Sequence, residues 1–432
     1  MRLVYYLIFL VILCSIYLVL LFAKLAHVDQ NAHQTEFEGT ITVVPEVKPR
    51  SIQFKVGDIE VVSSKNVVVE LGDRLRLIGR PQKRVINSIY NEYLLIYPEI
   101  IVLKKFSDLS LKERLVSHPF LLAKQQAYLL QTKISRQYKL LFSKTNESIV
   151  AGMVLGQKNN LSTEVYNSLQ VSGLIHLIVA SGGNVAMISS ILMILLHNFV
   201  SHRSKLVITY LFIFFYLLIV GFEPPLVRAS ILVGLTWLGT YFGRKTSSFW
   251  VLCIVGLAML IVEPLLLFSL SFQLSFAATV GIVAFGKTIN TLIGHFLKHT
   301  NQFLIQFLSA TVSQTIAAQA FTIPLSMAVF GNFNIFSFLA NVLVAPVVAP
   351  ITYGGVLLLI VSLVSIEVAF FIAWIITILP EYLLWIAEIF SKIPIGSINF
   401  NLSWTGVMIL WMGISLFGIT ISRYVERIET KL

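Results

Sequence analysis

Long apolar runs separated by short polar stretches dominate this chain. The first covers residues 3–23. Nine more follow Ile149, at 170–197, 205–221, 225–242, 248–262, 265–285, 303–330, 335–361, 366–390 and 404–421. A helix crosses the hydrocarbon core of a bilayer with about 20 apolar residues, so the pattern predicts ten spans. Between the first run and the rest the texture changes. From Glu36 to Phe106, short β-branched runs are divided by turn residues: Gly39–Val44, Ser51–Val56, Ile59–Val62, Val67–Val69, Arg74–Ile78 and Tyr93–Ile96. Gly57-Asp58 and Gly72-Asp73 supply turns. This alternation predicts a small antiparallel barrel or sandwich over 36–106. Residues 117–145 read as an amphipathic helix. Leu121, Leu122, Leu129, Leu130, Leu140 and Leu141 share it with Lys124, Lys133, Arg136, Lys139 and Lys144, a pattern suited to the membrane interface.

The predicted class is therefore a polytopic α-helical membrane protein with a small N-terminal β-barrel domain. Its parts are a transmembrane helix (1–25), the extracytoplasmic β domain (36–106), the basic helix (117–145), a transmembrane domain (149–421) and a cytoplasmic tail (422–432). Composition agrees. The 432 residues are 56% apolar and 12% charged, about half the charged fraction of a soluble domain. That excludes a soluble enzyme, a disordered chain and a disulfide scaffold. Cys14 and Cys253 both sit in apolar runs and form neither a disulfide framework nor a zinc site. The run at 3–23 is longer than a signal-peptide core, and no small-x-small site follows it, so it reads as a retained helix.

The net charge of +11 orients the spans. With Met1-Arg2 inside, alternation also places Arg203 and Lys205, Arg244 and Lys245, Lys287 and Lys298, and Arg423, Arg427 and Lys431 inside. The loops around Glu223 and Glu263 carry no basic residue. The positive-inside rule thus gives N-in and C-in.

Candidate chemistry lies in the spans that are not plainly lipid-facing. The stretch Gly173–Met187 contains Ser181-Gly182-Gly183-Asn184. A regular helix is costly there, and irregular backbone at membrane depth is tolerated only within protein or beside water. His176 on the same stretch is either a hydrogen-bonded core residue or a pore-lining one. Segment 303–330 carries Gln306, Ser309, Thr311, Ser313, Gln314, Thr315, Gln319 and Thr322. This stripe is either helix–helix glue or the wall of a hydrated path. Segment 335–361 holds Asn341, Pro346, Pro350 and Gly354-Gly355 and reads as a second interrupted helix, and two such helices point to a translocation site. Arg228 follows the Glu223-Pro224-Pro225 turn and either snorkels or meets a phosphate. In the β domain, Arg74, Arg76, Arg80, Lys83 and Arg84 with Tyr90 and Tyr93 fit an oligonucleotide-binding (OB-like) barrel, or simply a solvated surface of mixed charge.

At these positions the chain resembles the ComEC-type competence proteins, the membrane channels of natural transformation. Leu155-Gly-Gln-Lys-Asn-Asn-Leu-Ser162 and Ser172-Gly-Leu-Ile-His-Leu-Ile-Val-Ala-Ser-Gly182 are similar to one family signature. Gly221-Phe-Glu-Pro-Pro-Leu-Val-Arg-Ala229 is similar to a second, and Glu263-Pro264 with Ser271-Phe-Gln-Leu-Ser-Phe276 to a third. Ala317-Ala-Gln319, Pro324, Phe330-Gly331, Leu339-Ala-Asn-Val-Leu343 and Pro346 follow in the family's order. The β region resembles the family's barrel-like insert. Two departures stand out. Asn184 replaces a family His, keeping hydrogen bonding but not titration near neutral pH. No His-x-His-x-Asp cluster occurs among the eight His, so the metallo-β-lactamase-like nuclease of many members is not expected here.

The resemblance implies a channel for single-stranded DNA in the bacterial cytoplasmic membrane, with no enzymatic activity and no cofactor or metal. The expected path residues are His176, Ser181, Gly182, Gly183, Asn184, Arg228, Gln273, Gln314, Gln319 and Asn341. The expected outer contacts are Arg74, Arg76, Arg80, Lys83, Arg84, Lys133, Arg136 and Lys139. No Walker-type Gly-x-x-x-x-Gly-Lys-Ser/Thr occurs, so an ATP-driven cytoplasmic motor or the membrane potential must do the work. Other implied partners are membrane lipid, an extracytoplasmic DNA receptor, a separate nuclease and a second copy of the chain. A small-solute secondary transporter and an assembly platform without transport are the rival readings.

Overall fold

The computed structural model describes residues 17–22, 24–25, 35–47, 51–57, 59–85, 91–157, 161–178, 182–243, 247–296, 302–334, 336–393, 397–399 and 402–429. The chain divides into two compact units. One comprises Met1–Lys133 with Leu257–Ser269, the other Ile134–Gly256 with Leu270–Leu432. Most of the first apolar run lies outside the described residues; 17–22 and 24–25 are helical.

In the first unit the strands are β1 (Glu36–Thr40), β2 (Glu46–Val47), β3 (Ser51–Val56), β4 (Ile59–Ser64), β5 (Arg74–Ile78), β6 (Gln82–Val85), β7 (Asn91–Ile96) and β8 (Glu99–Lys104). Strict alternation in β3, β4 and β5 buries Ile52, Phe54, Val56, Ile59, Val61, Leu75 and Leu77, as the two-residue period of a half-buried strand requires. With Phe37, Ile41 and Leu95 these side chains form one core. The expected antiparallel barrel is corrected in two respects. The strands make a three-stranded sheet, β1-β5-β8, and a five-stranded sheet, β2-β3-β4-β7-β6. Among the described residues an isolated bridge between Ile41 and Val56 links them, and no ladder closes a barrel. The pairing of β4 with β7 is parallel. Val67–Val69 forms no strand. The Asp73 carboxylate holds the following turn instead, accepting from Glu70 N at 2.9 Å and Phe106 N at 2.8 Å. Two helices follow, α1 (Leu111–Ser117) and α2 (Pro119–Leu141). A reciprocal capping box between Ser110 and Glu113 starts α1.

The second unit takes in the end of α2 and then α3 (Lys144–Leu155), α4 (Thr163–Val171), α5 (Ile175–Ile178), α6 (Gly182–Leu195), α7 (His202–Val220), α8 (Pro224–Tyr241), α9 (Ser248–Val262), α10 (Leu270–Phe296), α11 (Gln302–Phe330), α12 (Ser337–Ser362), α13 (Ile366–Ile376), α14 (Ile378–Ser391) and α15 (Trp404–Glu429); the last turns of α9 belong to the first unit. Among the described residues five stretches are long and apolar enough to cross a membrane: Arg203–Val220, Leu270–Gly294, Ser337–Ser362, Ile366–Ser391 and Trp404–Arg423. Gly182–Leu195 and Ser248–Val262 are apolar but shorter. The 29-residue α11 exceeds them all in length, but its amide and hydroxyl side chains dilute its apolar character.

The core of this unit is built around α3, whose residues from Asn146 to Leu155 are all buried. Tyr138, Ile149, Met153, Leu169, Val344, Ile351, Ala373 and Leu383 pack there. The expected break in segment 335–361 is not observed. Helix α12 runs through both Pro346 and Pro350. A proline removes one main-chain donor, yet the helix continues. Two tyrosines also bond its carbonyls: Tyr382 Oη donates to Leu343 O at 3.1 Å and Tyr138 Oη to Gly355 O at 2.9 Å.

Candidate functional site

A helix ends with carbonyls that lack intrahelical donors. At the end of α3, Gly156 takes a left-handed conformation and its N–H reaches Ala151 O and Gly152 O. The next two carbonyls find side chains. Asn184 Nδ2 donates to Met153 O at 2.6 Å, and Tyr216 Oη donates to Val154 O at 3.1 Å. Asn184 is buried. Just before this turn Gly152 lies under α5. A Cβ there would stand 2.6 Å from Ile178 O, so only glycine permits the approach. The end of α3 is thus gripped by the segments on both sides of residues 179–181, which lie outside the described residues and include Ser181.

The start of α6 packs equally closely on α8. A Cβ on Gly182 would lie 2.9 Å from Ala229 Cβ and 3.4 Å from Arg228 Nη2. The bare glycine leaves room for the guanidinium. Arg228 Nε donates to Ser275 Oγ at 2.8 Å, and Nη1 donates to Thr279 Oγ1. Both hydroxyls stand on α10, one turn apart, and Thr279 also donates to Ser275 O at 2.9 Å. The guanidinium carbon lies 5.8 Å from the Phe276 ring centre, a cation–π distance. Among the described residues no carboxylate pairs with Arg228. Its charge is solvated by two neutral hydroxyls and a ring, and among the described residues it stays uncompensated.

The structure places the other sequence-predicted residues apart from this cluster or at its edge. Gly183 is exposed beside Gly182, and Gln273 is half-buried on α10, two residues before Ser275. His176 is exposed and donates from Nδ1 to Gly173 O at 2.9 Å. Asn341 is buried, and its Nδ2 donates to Ser337 O at 2.8 Å on its own helix. On α11, Gln314 is exposed and Gln319 half-buried. Among the described residues no hydrogen bond joins Gln314, Gln319 or Asn341 to the Arg228 cluster. Ser313, Thr315 and Thr322 turn their hydroxyls back to Ala310 O, Thr311 O and Ala318 O, the local bonding that makes such residues tolerable inside a span.

Sequence reasoning missed Ser275, Thr279 and Tyr216. The first two had a signal, since hydroxyls four apart share one helix face. A tyrosine among phenylalanines and leucines is another, because a buried phenol needs an acceptor. Glu147 was missed as well. It is 2% exposed, and Ser135 Oγ donates to its Oε1 at 3.4 Å.

The outer basic residues are arranged differently. Arg76 meets Glu36 at 3.1 Å and Glu38 at 2.5 Å, and Arg74 meets Glu38 at 3.5 Å. The hydrogen bond that Arg76 donates to Glu38 raises the Arg76 pKa above its ordinary value. Arg80, Lys83, Arg84, Lys133, Arg136 and Lys139 are exposed. Lys83 stands opposite Tyr93 in the β6–β7 register; Tyr90 lies outside the described residues. Lys124 donates to Thr42 O at 3.1 Å, and burial pushes its pKa down. Among the described residues no three His, Cys, Asp or Glu side chains converge as metal ligands.

Comparison with known proteins adds to this geometry. A family model described as Competence protein matches residues 153–424. ComE operon protein 3 of Bacillus subtilis (strain 168) is 26% identical over 219 residues, which cover 50% of this chain and 27% of that protein. An uncharacterized protein of Aquifex aeolicus (strain VF5) is 30% identical over 210 residues, 48% of this chain and 45% of its own length. The uncharacterized protein YcaI of Escherichia coli (strain K12) is 23% identical over 218 residues, 48% of this chain and 28% of its own. The matched part therefore spans less than half of each relative. No solved structure matches the chain.

Proposed function

The chain belongs to the competence protein family, and on that premise we propose that it forms the membrane step of DNA uptake. In this reading it is a channel that passes single-stranded DNA across the bacterial cytoplasmic membrane during natural transformation. The observation that carries the reading is the uncompensated Arg228, held by Ser275 and Thr279 beside the start of α6.

A DNA strand brings one negative charge per nucleotide, and hydrocarbon is closed to it. A path needs neutral donors and few cations, because each neutralised phosphate adds salt-dependent affinity and slows departure. A single guanidinium already bonded to hydroxyls suits transit. It can exchange one hydroxyl for a phosphate oxygen and return to it. Gly182, Gly183, Asn184, Gln273, Gln314, Gln319 and Asn341 complete the path in this reading, with Ser181 and His176 earlier in the chain than α6. The sheet unit serves as a receiving domain outside the membrane. Ten spans place both termini in the cytoplasm. A receptor, a nuclease and an ATP-driven motor act as separate partners, and the chain itself carries no enzymatic step.

A small-solute secondary transporter is the second reading. The buried Glu147 favours it, since ion coupling needs an acid inside the protein. The deciding experiment follows labelled DNA in a strain lacking this gene and separates surface-bound from nuclease-protected cytoplasmic label. Loss of cytoplasmic label with surface label retained is expected. Unchanged cytoplasmic label overturns the channel and leaves the transporter.

A further inference from the structure

We propose that a basic cleft in the N-terminal unit binds a phosphodiester of single-stranded DNA, with His118 as the face for an adjoining base. This site rests on the DNA-uptake reading and names where the strand is first held. The cleft encloses about 300 Å³ and is lined by Arg74, Lys104, Lys105, Phe106, Glu113 and His118 among others. That volume sits at the lower end for small-ligand sites, the size of one nucleotide rather than a duplex.

Three observations point to an anion. First, Arg74, which also meets Glu38 at 3.5 Å, and Lys104 stand directly opposite each other in the β5–β8 register, at the bulge between Arg74 and Leu75, so one carboxylate serves a pair of facing cations. Like charges across an antiparallel pair destabilise it, and bulges re-aim side chains near functional sites. Lys105 adds a further cation beside them. Second, the one acid in the lining is engaged elsewhere. Glu113 Oε2 accepts from Ser110 N at 2.9 Å and Ser110 Oγ at 2.8 Å, so its carboxylate is spent on capping α1. Third, the floor is built rigidly. Phe106 is 1% exposed, its N–H is fixed by Asp73, and Gly72 has φ +94° with a would-be Cβ 2.6 Å from the Phe106 ring. The His118 ring stands 6.3 Å from that ring, tilted by 58°, and the residue is exposed to solvent. A base stacks on such a ring whatever its identity, whereas a lipid headgroup has no use for it. The cleft therefore favours nucleic acid over a membrane phosphate.

The test uses the full chain in phosphatidylcholine nanodiscs, with a labelled oligothymidylate followed by fluorescence anisotropy over a salt series. Replacing Lys104 and Lys105 together by Ala weakens binding by about tenfold or more. It also makes the plot of log affinity against log salt shallower by about 0.7, the share of one single-strand phosphate contact. Both lysines are exposed, so the fold survives. His118→Ala weakens binding with the salt slope unchanged, and His118→Trp restores it. Thymidine dinucleotide displaces the probe at lower concentration than glycerophosphoglycerol.

Three results overturn the site. One is an unchanged affinity and slope in the lysine double variant. Another is a loss no greater than that of Lys83→Ala with Arg84→Ala, which marks a diffuse field. The third is equal competition by glycerophosphoglycerol, which assigns the cleft to lipid. The assay involves no transport. A silent cleft in a chain needed for cytoplasmic label fails this site alone, and a working cleft in a chain not needed for that label fails the channel alone.

Discussion

The two units handle arginine in opposite ways. In the sheet unit Arg76 lies between two carboxylates on the neighbouring strand, and Arg74 shares one of them. Both are exposed to water, where such pairs contribute little. In the helical unit Arg228 meets hydroxyls and a ring among the described residues. There a carboxylate would satisfy the charge more fully, and among the described residues none is present. The contrast shows that a basic residue is informative through its partners rather than its presence. Counting cations singled out five basic residues of the sheet unit together, and the structure shows two of them, Arg74 and Arg76, sharing the carboxylates of β1.

The largest expected effect comes from breaking the inner half of this comparison. Arg228→Ala lowers DNA import by about 10- to 100-fold, the loss of a charged hydrogen bond of about 1.5–3 kcal/mol, while size-exclusion chromatography shows unaltered assembly. Arg228→Lys keeps the charge but loses the two-pronged hydroxyl contact and falls between parent and Ala. A Ser275→Asp variant sharpens the comparison by giving Arg228 the partner that Arg76 already has. Import drops while thermal stability holds or rises. Next in size is Gly182→Val, which forces methyl groups against Ala229 and the guanidinium. Overpacking of this kind costs about 1–3 kcal/mol, read as a lower melting temperature together with weaker import. Asn184→Ala follows. It leaves Met153 O without its donor at a cost of about 1–2 kcal/mol, and a double-mutant cycle with Tyr216→Phe separates the two caps. Arg76→Ala is the smallest, with no measurable change in import or melting temperature. A marked loss of import in that variant would erase the difference between the units.

Much of this architecture was legible in the residues. Each apolar run from 205 onward lies mostly in helix, because a membrane span is a matter of length and hydropathy, although α10 and α15 continue well past their runs and 366–390 divides into α13 and α14. β3 and β5 were legible from their alternation. β6, Gln82–Val85, was not, because it is almost wholly polar. β8, Glu99–Lys104, was not either, because its apolar positions run on without alternating. The prolines of α12 misled in the other direction. They mark a cost that α12 bears unbroken, and the tyrosines that bond its other carbonyls come from residues 138 and 382, far along the chain. The same distance hid the Arg228 site. Its partners lie 47 and 51 residues away, and only packing brings α8 against α10. The sequence supplied the arginine and the small glycine beside it, and the fold supplied what surrounds them.

The capped end of α3 has an electrostatic consequence. Aligned peptide dipoles leave about half a negative charge at a helix C-terminus. Bare carbonyls there would form a repulsive pole toward any polyanion nearby. The amide of Asn184 and the phenol of Tyr216 cover two of those carbonyls with hydrogen-bond donors. They blunt the pole without adding a cation that would trap a phosphate.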